Sequence, residues 1–187
     1  MVSFESDYNN GAHPSVLKHL ILTNEEQSSS YGSDRFSENA RKLIREACGC
    51  PDADIFFLVG GTQTNSTVIS TLLRPYEGVI SVPSGHIAVH EAGAIEITGH
   101  KVLEIPGKNG KIVPKELEAE LNRMEEDPNG CHMVIPGMVY ITFPTEYGTL
   151  YSASEIKAIH DICRRHNLLL YVDGARLGYG LSAAINN

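Results

Sequence analysis

No stretch of this sequence is apolar for long enough to span a membrane, no cluster of lysines and arginines occurs, and no paired cysteine motif is present. Each absence closes a class of function. A helical membrane span needs ~20 consecutive apolar residues, and nothing here approaches that length. The start carries Glu5 and Asp7 where a signal peptide is cationic and then apolar. Fifteen Lys and Arg stand against 23 Asp and Glu, a net charge of −8, which argues against nucleic acid and anionic membranes as partners. The cysteines, Cys48, Cys50, Cys131 and Cys163, fit neither a C-x-x-C metal site nor a disulfide framework. They read as reduced thiols, so a cytoplasmic protein is the expectation. Internal repeats, low-complexity segments and linkers are also missing from the 187 residues, of which 42% are hydrophobic. That length and composition suit one ordinary core.

What is present falls into two parts. Residues 1–32 are polar and rich in turn formers, with Asn9-Asn10-Gly11-Ala12-His13-Pro14 followed by a short amphipathic piece around Val16, Leu17, Leu20 and Ile21. This part reads as an arm and loop. Residues 33–187 read as one α/β domain. Ala40, Leu43, Ile44 and Ala47 give a helical apolar face that stops at Cys48-Gly49-Cys50-Pro51. Ile55–Val59 predicts a buried strand, and Val68, Ile69, Leu72 and Leu73 mark the helix after it. A strand at 79–82 precedes a helix expected from His86 to about Ile97. Then come a strand at 101–105, a helix opened by Pro114, a strand within 133–143, a helix with a Ser152–Glu155 capping box, and a last strand ending at Asp173. Strands alternating with helices predict a mostly parallel sheet with helices on both faces.

Three stretches carry chemistry. Leu168-Leu169-Leu170-Tyr171-Val172 runs into Asp173-Gly174-Ala175-Arg176, which puts a carboxylate at the carboxyl end of a strand, where α/β sheets bind ligands. Such an aspartate can hold a proton on a ring nitrogen, as a pyridine cofactor requires. The alternative is a solvated Asp-Gly turn. Gly60-Gly61-Thr62-Gln63-Thr64-Asn65 opens a helix, offering backbone N–H groups and hydroxyls to a phosphate, or simply a strand-to-helix turn capped by threonine. His86 and His90 lie one helical turn apart beside Glu91, without a third ligand to complete a metal site. At a helix head above a strand end, the His86 ring can instead lie flat on an aromatic cofactor.

Ser6-Asp7, Tyr31-Gly32-Ser33-Asp34, Gly60 to Asn65, His86 with Glu91-Ala92-Gly93, and Val172 to Arg176 occur in the order seen in the threonine aldolase and β-eliminating lyase family. The chain resembles that family along nearly its whole length. The resemblance implies the aspartate-aminotransferase fold and pyridoxal 5'-phosphate as cofactor. It implies that Gly61, Thr62 and Gln63 hold the phosphate, that His86 stacks on the ring and is a candidate base, and that Asp173 pairs with the ring nitrogen. Arg176 would lie near the cofactor's phenolic oxygen or the substrate carboxylate, which Ser6 can also bind. Tyr31 would reach a neighbouring subunit's site in a homodimer or homotetramer. The implied reaction cleaves a small β-hydroxy-α-amino acid to glycine and an aldehyde. Another lyase or an aminotransferase would use the same cofactor residues.

Two departures qualify the expectation. Pro144-Thr145-Glu146 stands where many threonine aldolases have Asn-Thr-His, which puts threonine itself in question as substrate. The family's Schiff-base lysine follows the Asp-Gly-Ala-Arg motif by a few tens of residues, whereas this sequence ends eleven residues after Arg176 and its seven lysines all lie at or before Lys157. The chain is therefore expected to be the amino-terminal portion of a longer enzyme and inactive alone. The remaining alternative is a non-catalytic relative acting as a binding module or partner subunit.

Overall fold

A computed structural model describes residues 6–185 and divides the chain into two compact units, one ending at Phe57 and the other beginning at Leu58. In the first unit, helix α1 (Pro14–Thr23) has proline in its first turn and buries no side chain. The segment expected as arm and loop thus contains a regular, exposed helix. Helix α2 (Arg35–Cys48) is capped at both ends. Asp34 Oδ1 accepts the N–H groups of Phe36 and Ser37, each at 2.9 Å. Gly49 closes the helix in the left-handed conformation, φ 63°, which glycine adopts without a Cβ clash.

The second unit is built on four parallel strands, β1 (Glu77–Ser81), β2 (Val102–Glu104), β3 (Ile135–Thr142) and β4 (Leu169–Asp173), in the order β2-β1-β3-β4. Successive side chains of a strand point to opposite faces, and the core follows that alternation. Ile80, Val139 and Ile141 face one way and pack with Leu117 and Leu121 of α5 (Pro114–Glu125) and Ile159, Ile162 and Cys163 of α6 (Ala153–Arg165). Val79, Met138 and Tyr140 face the other way, toward Ile69 of α3 (Gly61–Leu72), Ile87 of α4 (His86–Val89) and Ile95. Helices therefore cover both faces of a parallel sheet. A last helix, α7 (Leu177–Ile185), follows β4. Among the described residues no helix is long and apolar enough to cross a membrane.

Local chemistry explains most boundaries. Proline opens α5 and the expected capping box opens α6, where Ser152 Oγ accepts from Glu155 N–H at 3.2 Å and Glu155 Oε2 accepts from Ser152 N–H at 2.7 Å. At Gly78 a Cβ would meet Lys101 O at 2.7 Å, so only glycine lets β1 lie this close to its neighbour.

Two expected elements differ. Residues 55–59 form no strand among the described residues, and Phe56 and Val59 are 80% and 92% exposed. Their β-forming composition is not enough, because a strand exists only with a neighbour to satisfy its N–H and C=O groups. The helix expected from His86 to Ile97 stops at Val89. Ala92 and Gly93 follow with φ of 51° and 75°, a left-handed pair no helix can continue through, and only a short 3-10 turn at Glu96–Thr98 remains.

The order β2-β1-β3-β4 places the topological switch between β1 and β3, so the ligand crevice of this sheet lies beyond the carboxyl ends of those strands. The core on the α5–α6 side packs against the sheet beneath that crevice. Ile159, fully buried, is its test: Ile159→Ala is expected to cost about 2–5 kcal/mol in urea unfolding. A loss below about 1 kcal/mol would contradict the packing described.

Candidate active site

The residues at the carboxyl end of the sheet come from four elements. Asp173 is the last residue of β4, paired in register with Thr142 of β3. His86 opens α4 after the turn at Pro83-Ser84-Gly85 that leaves β1. Tyr140 and Tyr171 are register partners on β3 and β4, and Asp173, two residues beyond Tyr171, shares their face. Asn65 stands one helical turn inside α3, and the left-handed turn after α4 carries Glu91 into the interior.

These side chains form one hydrogen-bonded group. Asp173 Oδ2 accepts from Tyr140 Oη at 2.7 Å and from Asn65 Nδ2 at 3.2 Å, and its Oδ1 accepts from Ala175 N–H at 3.0 Å. Asn65 Nδ2 also donates to Glu91 Oε1 at 2.6 Å, while Asn65 Oδ1 accepts from Tyr171 Oη at 2.6 Å. Glu91 Oε1 lies 2.7 Å from His86 Nδ1. Asn65, Glu91 and Tyr140 are buried; His86 and Asp173 are half-buried. The Asp173 carboxylate is thus aimed by three donors, as a strand-end turn alone would not require.

Helix α3 begins one turn before Asn65, and its N-cap Gly60 supplies no side-chain cap. Thr64 does not cap the start either: its hydroxyl donates to Gly60 O at 2.8 Å. Gln63 Oε1 accepts from Val59 N–H at 3.1 Å, and Gly61, Thr62 and Gln63 are exposed. An uncapped helix N-terminus offers several N–H donors and a positive dipole end. The alternative reading, a turn capped by threonine, is therefore not what forms.

Arg176 follows Asp173 by three residues, and its Nη1 lies 3.4 Å from Glu146 Oε2. Glu146 sits in a tight turn after β3, where Thr145 Oγ1 and Thr149 Oγ1 are 2.7 Å apart. Ser6 and Tyr31 belong to the first unit. There Ser6 Oγ accepts from Tyr8 N–H at 3.5 Å, and Tyr31 is fully exposed with φ 61°. The structure gathers Asp173 and His86 with three residues the sequence reading passed over in that role: Asn65, Tyr140 and Tyr171. The two tyrosines were legible as polar tips at the same-face positions of adjoining strands; Asn65 was legible only as part of a motif.

The model of the family described as beta-eliminating lyase matches residues 4–182. The chain belongs to the beta-eliminating lyase family. A low specificity L-threonine aldolase of Pseudomonas sp. (strain NCIMB 10558) is 33% identical over 180 residues, 92% of this chain and 49% of that protein. A solved structure of Leishmania major threonine aldolase is 45% identical with a TM-score of 0.89, over 95% of this chain and 51% of that one. YbdL from Escherichia coli, described as having a methionine aminotransferase function, shares the fold at 16% identity and a TM-score of 0.60. The chain spans about half the length of the curated relatives it matches.

The electrostatics of this hydrogen-bonded group keep its phenols protonated. Burial, then the nearby Asp173 and Glu91 charges, push the Tyr171 hydroxyl up to about 12. Burial and Asp173 push Tyr140 upward as well, and burial raises Tyr151 to about 12. Both site phenols therefore remain donors across the physiological range. In the folded chain these groups hold protons that an unfolded phenol releases near pH 10. Their contribution to stability is full below pH ~10 and is lost as pH rises through their folded values. Alkaline titration followed by tyrosinate absorbance should accordingly show part of the change delayed to about pH 12 or beyond, from Tyr140, Tyr151 and Tyr171. Complete ionisation near pH 10 while the fold persists would contradict the surroundings described for Tyr140, Tyr151 and Tyr171.

Proposed function

We propose that this family member binds pyridoxal 5'-phosphate at the carboxyl end of the sheet and serves the cleavage of a small β-hydroxy-α-amino acid to glycine and an aldehyde. The observation that carries the reading is a carboxylate, Asp173, oriented by three donors and joined to an uncapped helix through Asn65, one turn inside its start. A phosphate and a ring nitrogen are the two groups such a pair of features would take. Membership of the family and the likeness to threonine aldolases support the choice of ligand.

The residues present fit the cofactor. Gly61, Thr62 and Gln63 would receive the phosphate, with backbone N–H groups and the Thr62 hydroxyl as donors and a helix dipole behind them. Asp173 would accept the proton of the ring nitrogen and hold it there. When bound, the cofactor supplies an electron sink for the bond broken at the substrate's Cα. His86, half-buried at the head of α4, would lie against the ring and take the proton of the β-hydroxyl. Arg176, held by Glu146, would face the phenolic oxygen or the substrate carboxylate. Tyr31 would serve a neighbouring subunit in a homodimer or homotetramer, and the protein would work in the cytoplasm.

Two substitutions in the full-length protein test these roles. Asp173→Asn keeps shape and loses charge; it is expected to lower cleavage about 100-fold or more and to weaken cofactor retention. Turnover within a few-fold of the parent would sink the assignment. His86→Phe can stack but cannot accept a proton, so it should retain much of the cofactor and lose most of the aldol cleavage. Parental cleavage by that variant would leave His86 as a platform only.

A further inference from the structure

Glu91 is a buried carboxyl that the roles above leave unused. Its side chain is inaccessible to solvent, and among the described residues its Oε2 is buried with no hydrogen-bond partner. An unsatisfied buried carboxyl oxygen costs stability, so an apolar residue would serve packing better. The turn that brings it inside is itself strained, with Ala92 at φ 51°. Such expense at a strand-end crevice points to chemistry.

We infer that Glu91 is a positioning residue, whose Oε1 fixes His86 as the Nδ1–H tautomer and leaves Nε2 as the ring's open acceptor. The hydrogen-bond pattern forces this. Tyr171 Oη donates to Asn65 Oδ1, so the Asn65 amide must turn Nδ2 toward the two carboxylates of Asp173 and Glu91. The reverse orientation would set a carbonyl oxygen against both. Glu91 Oε1 therefore already accepts one hydrogen, from Asn65 at 2.6 Å. A carboxylate oxygen only accepts, so His86 Nδ1, 2.7 Å away, is the donor. No lysine or arginine hydrogen-bonds to Glu91 or Asp173 among the described residues; the other ring nearby is His90, whose centroid is 5.5 Å from that of His86.

The consequence rests on the proposed role of His86 as base. The β-hydroxyl proton passes to Nε2 as the Cα–Cβ bond breaks, giving a ring with both nitrogens protonated. The same proton, or one from water, ends on Cα of glycine. While the ring is positive, the Glu91 carboxylate stands against it at Nδ1. Glu91 thus prepares the tautomer beforehand and balances the charge when it forms.

The test reads the two functions separately in the full-length protein. In the cofactor-free state, two-bond 1H–15N correlation of labelled histidine should show His86 as the Nδ1–H tautomer. Glu91→Gln must keep Oε1 toward its two donors, so the tautomer should persist and cofactor retention should stay within about twofold, while β-hydroxy amino acid cleavage falls about 100-fold for want of the charge. Glu91→Ala should release the ring to a mixture of tautomers. The inference is overturned by an Nε2–H tautomer in the parent, or by Glu91→Gln cleaving within about threefold of it. If either variant fails to fold, the parent spectrum still decides. Failure of the aldolase reading looks different: the parent would show no pyridoxal-phosphate-dependent cleavage, whatever its His86 spectrum.

Discussion

One amide holds the crevice together. Asn65 Nδ2 donates to Glu91 Oε1 and Asp173 Oδ2, while its carbonyl takes the Tyr171 hydroxyl. Four elements meet there: α3 supplies the amide, β4 supplies Tyr171 and Asp173, β3 adds Tyr140, and the left-handed turn after α4 brings Glu91. Two carboxylates this near one another would repel in a buried setting unless donors stood between them. The Asn65 amide and the Tyr140 phenol, kept protonated by burial, do that without adding a countercharge, while Tyr171 fixes the amide through its carbonyl. The site is thereby left with an excess of negative charge, suited to a cationic ring nitrogen.

The same network ties chemistry to fold. Tyr140 belongs to the core on the α3–α4 side while its hydroxyl reaches Asp173, so apolar packing and the orientation of the carboxylate are not independent. The opposite face, packed by α5 and α6, contains no member of the group and acts as support. Within the hydrogen-bonded group, the left-handed backbone lies at the Ala92-Gly93 turn, where leaving the helix early turns Glu91 inward.

Much of this was readable beforehand, and the exceptions have physical causes. The Ser152–Glu155 box and Pro114 mark their helices because capping is a local interaction. Asp173 was legible as a strand end because an apolar run followed by Asp-Gly has few other solutions. Ile55–Val59 misled because apolar, β-branched composition states a preference while pairing is decided elsewhere in the chain. The helix after His86 misled for a related reason. Its apolar spacing allows a helix through Ile97, yet burying Glu91 against Asn65 and His86 requires the backbone to break at Ala92. That need arises from contacts 26 residues apart in sequence between Asn65 and Glu91, beyond any local pattern.

The central claim is that the uncapped start of α3 and the Asp173 carboxylate form a single ligand site. Its most direct measurement is a crystal structure of the full-length protein with pyridoxal 5'-phosphate. The phosphate should lie on the N–H groups of Gly61 to Gln63, the ring nitrogen on Asp173 and the ring against His86. A phosphate bound elsewhere, or a ring nitrogen facing any group but Asp173, would contradict it.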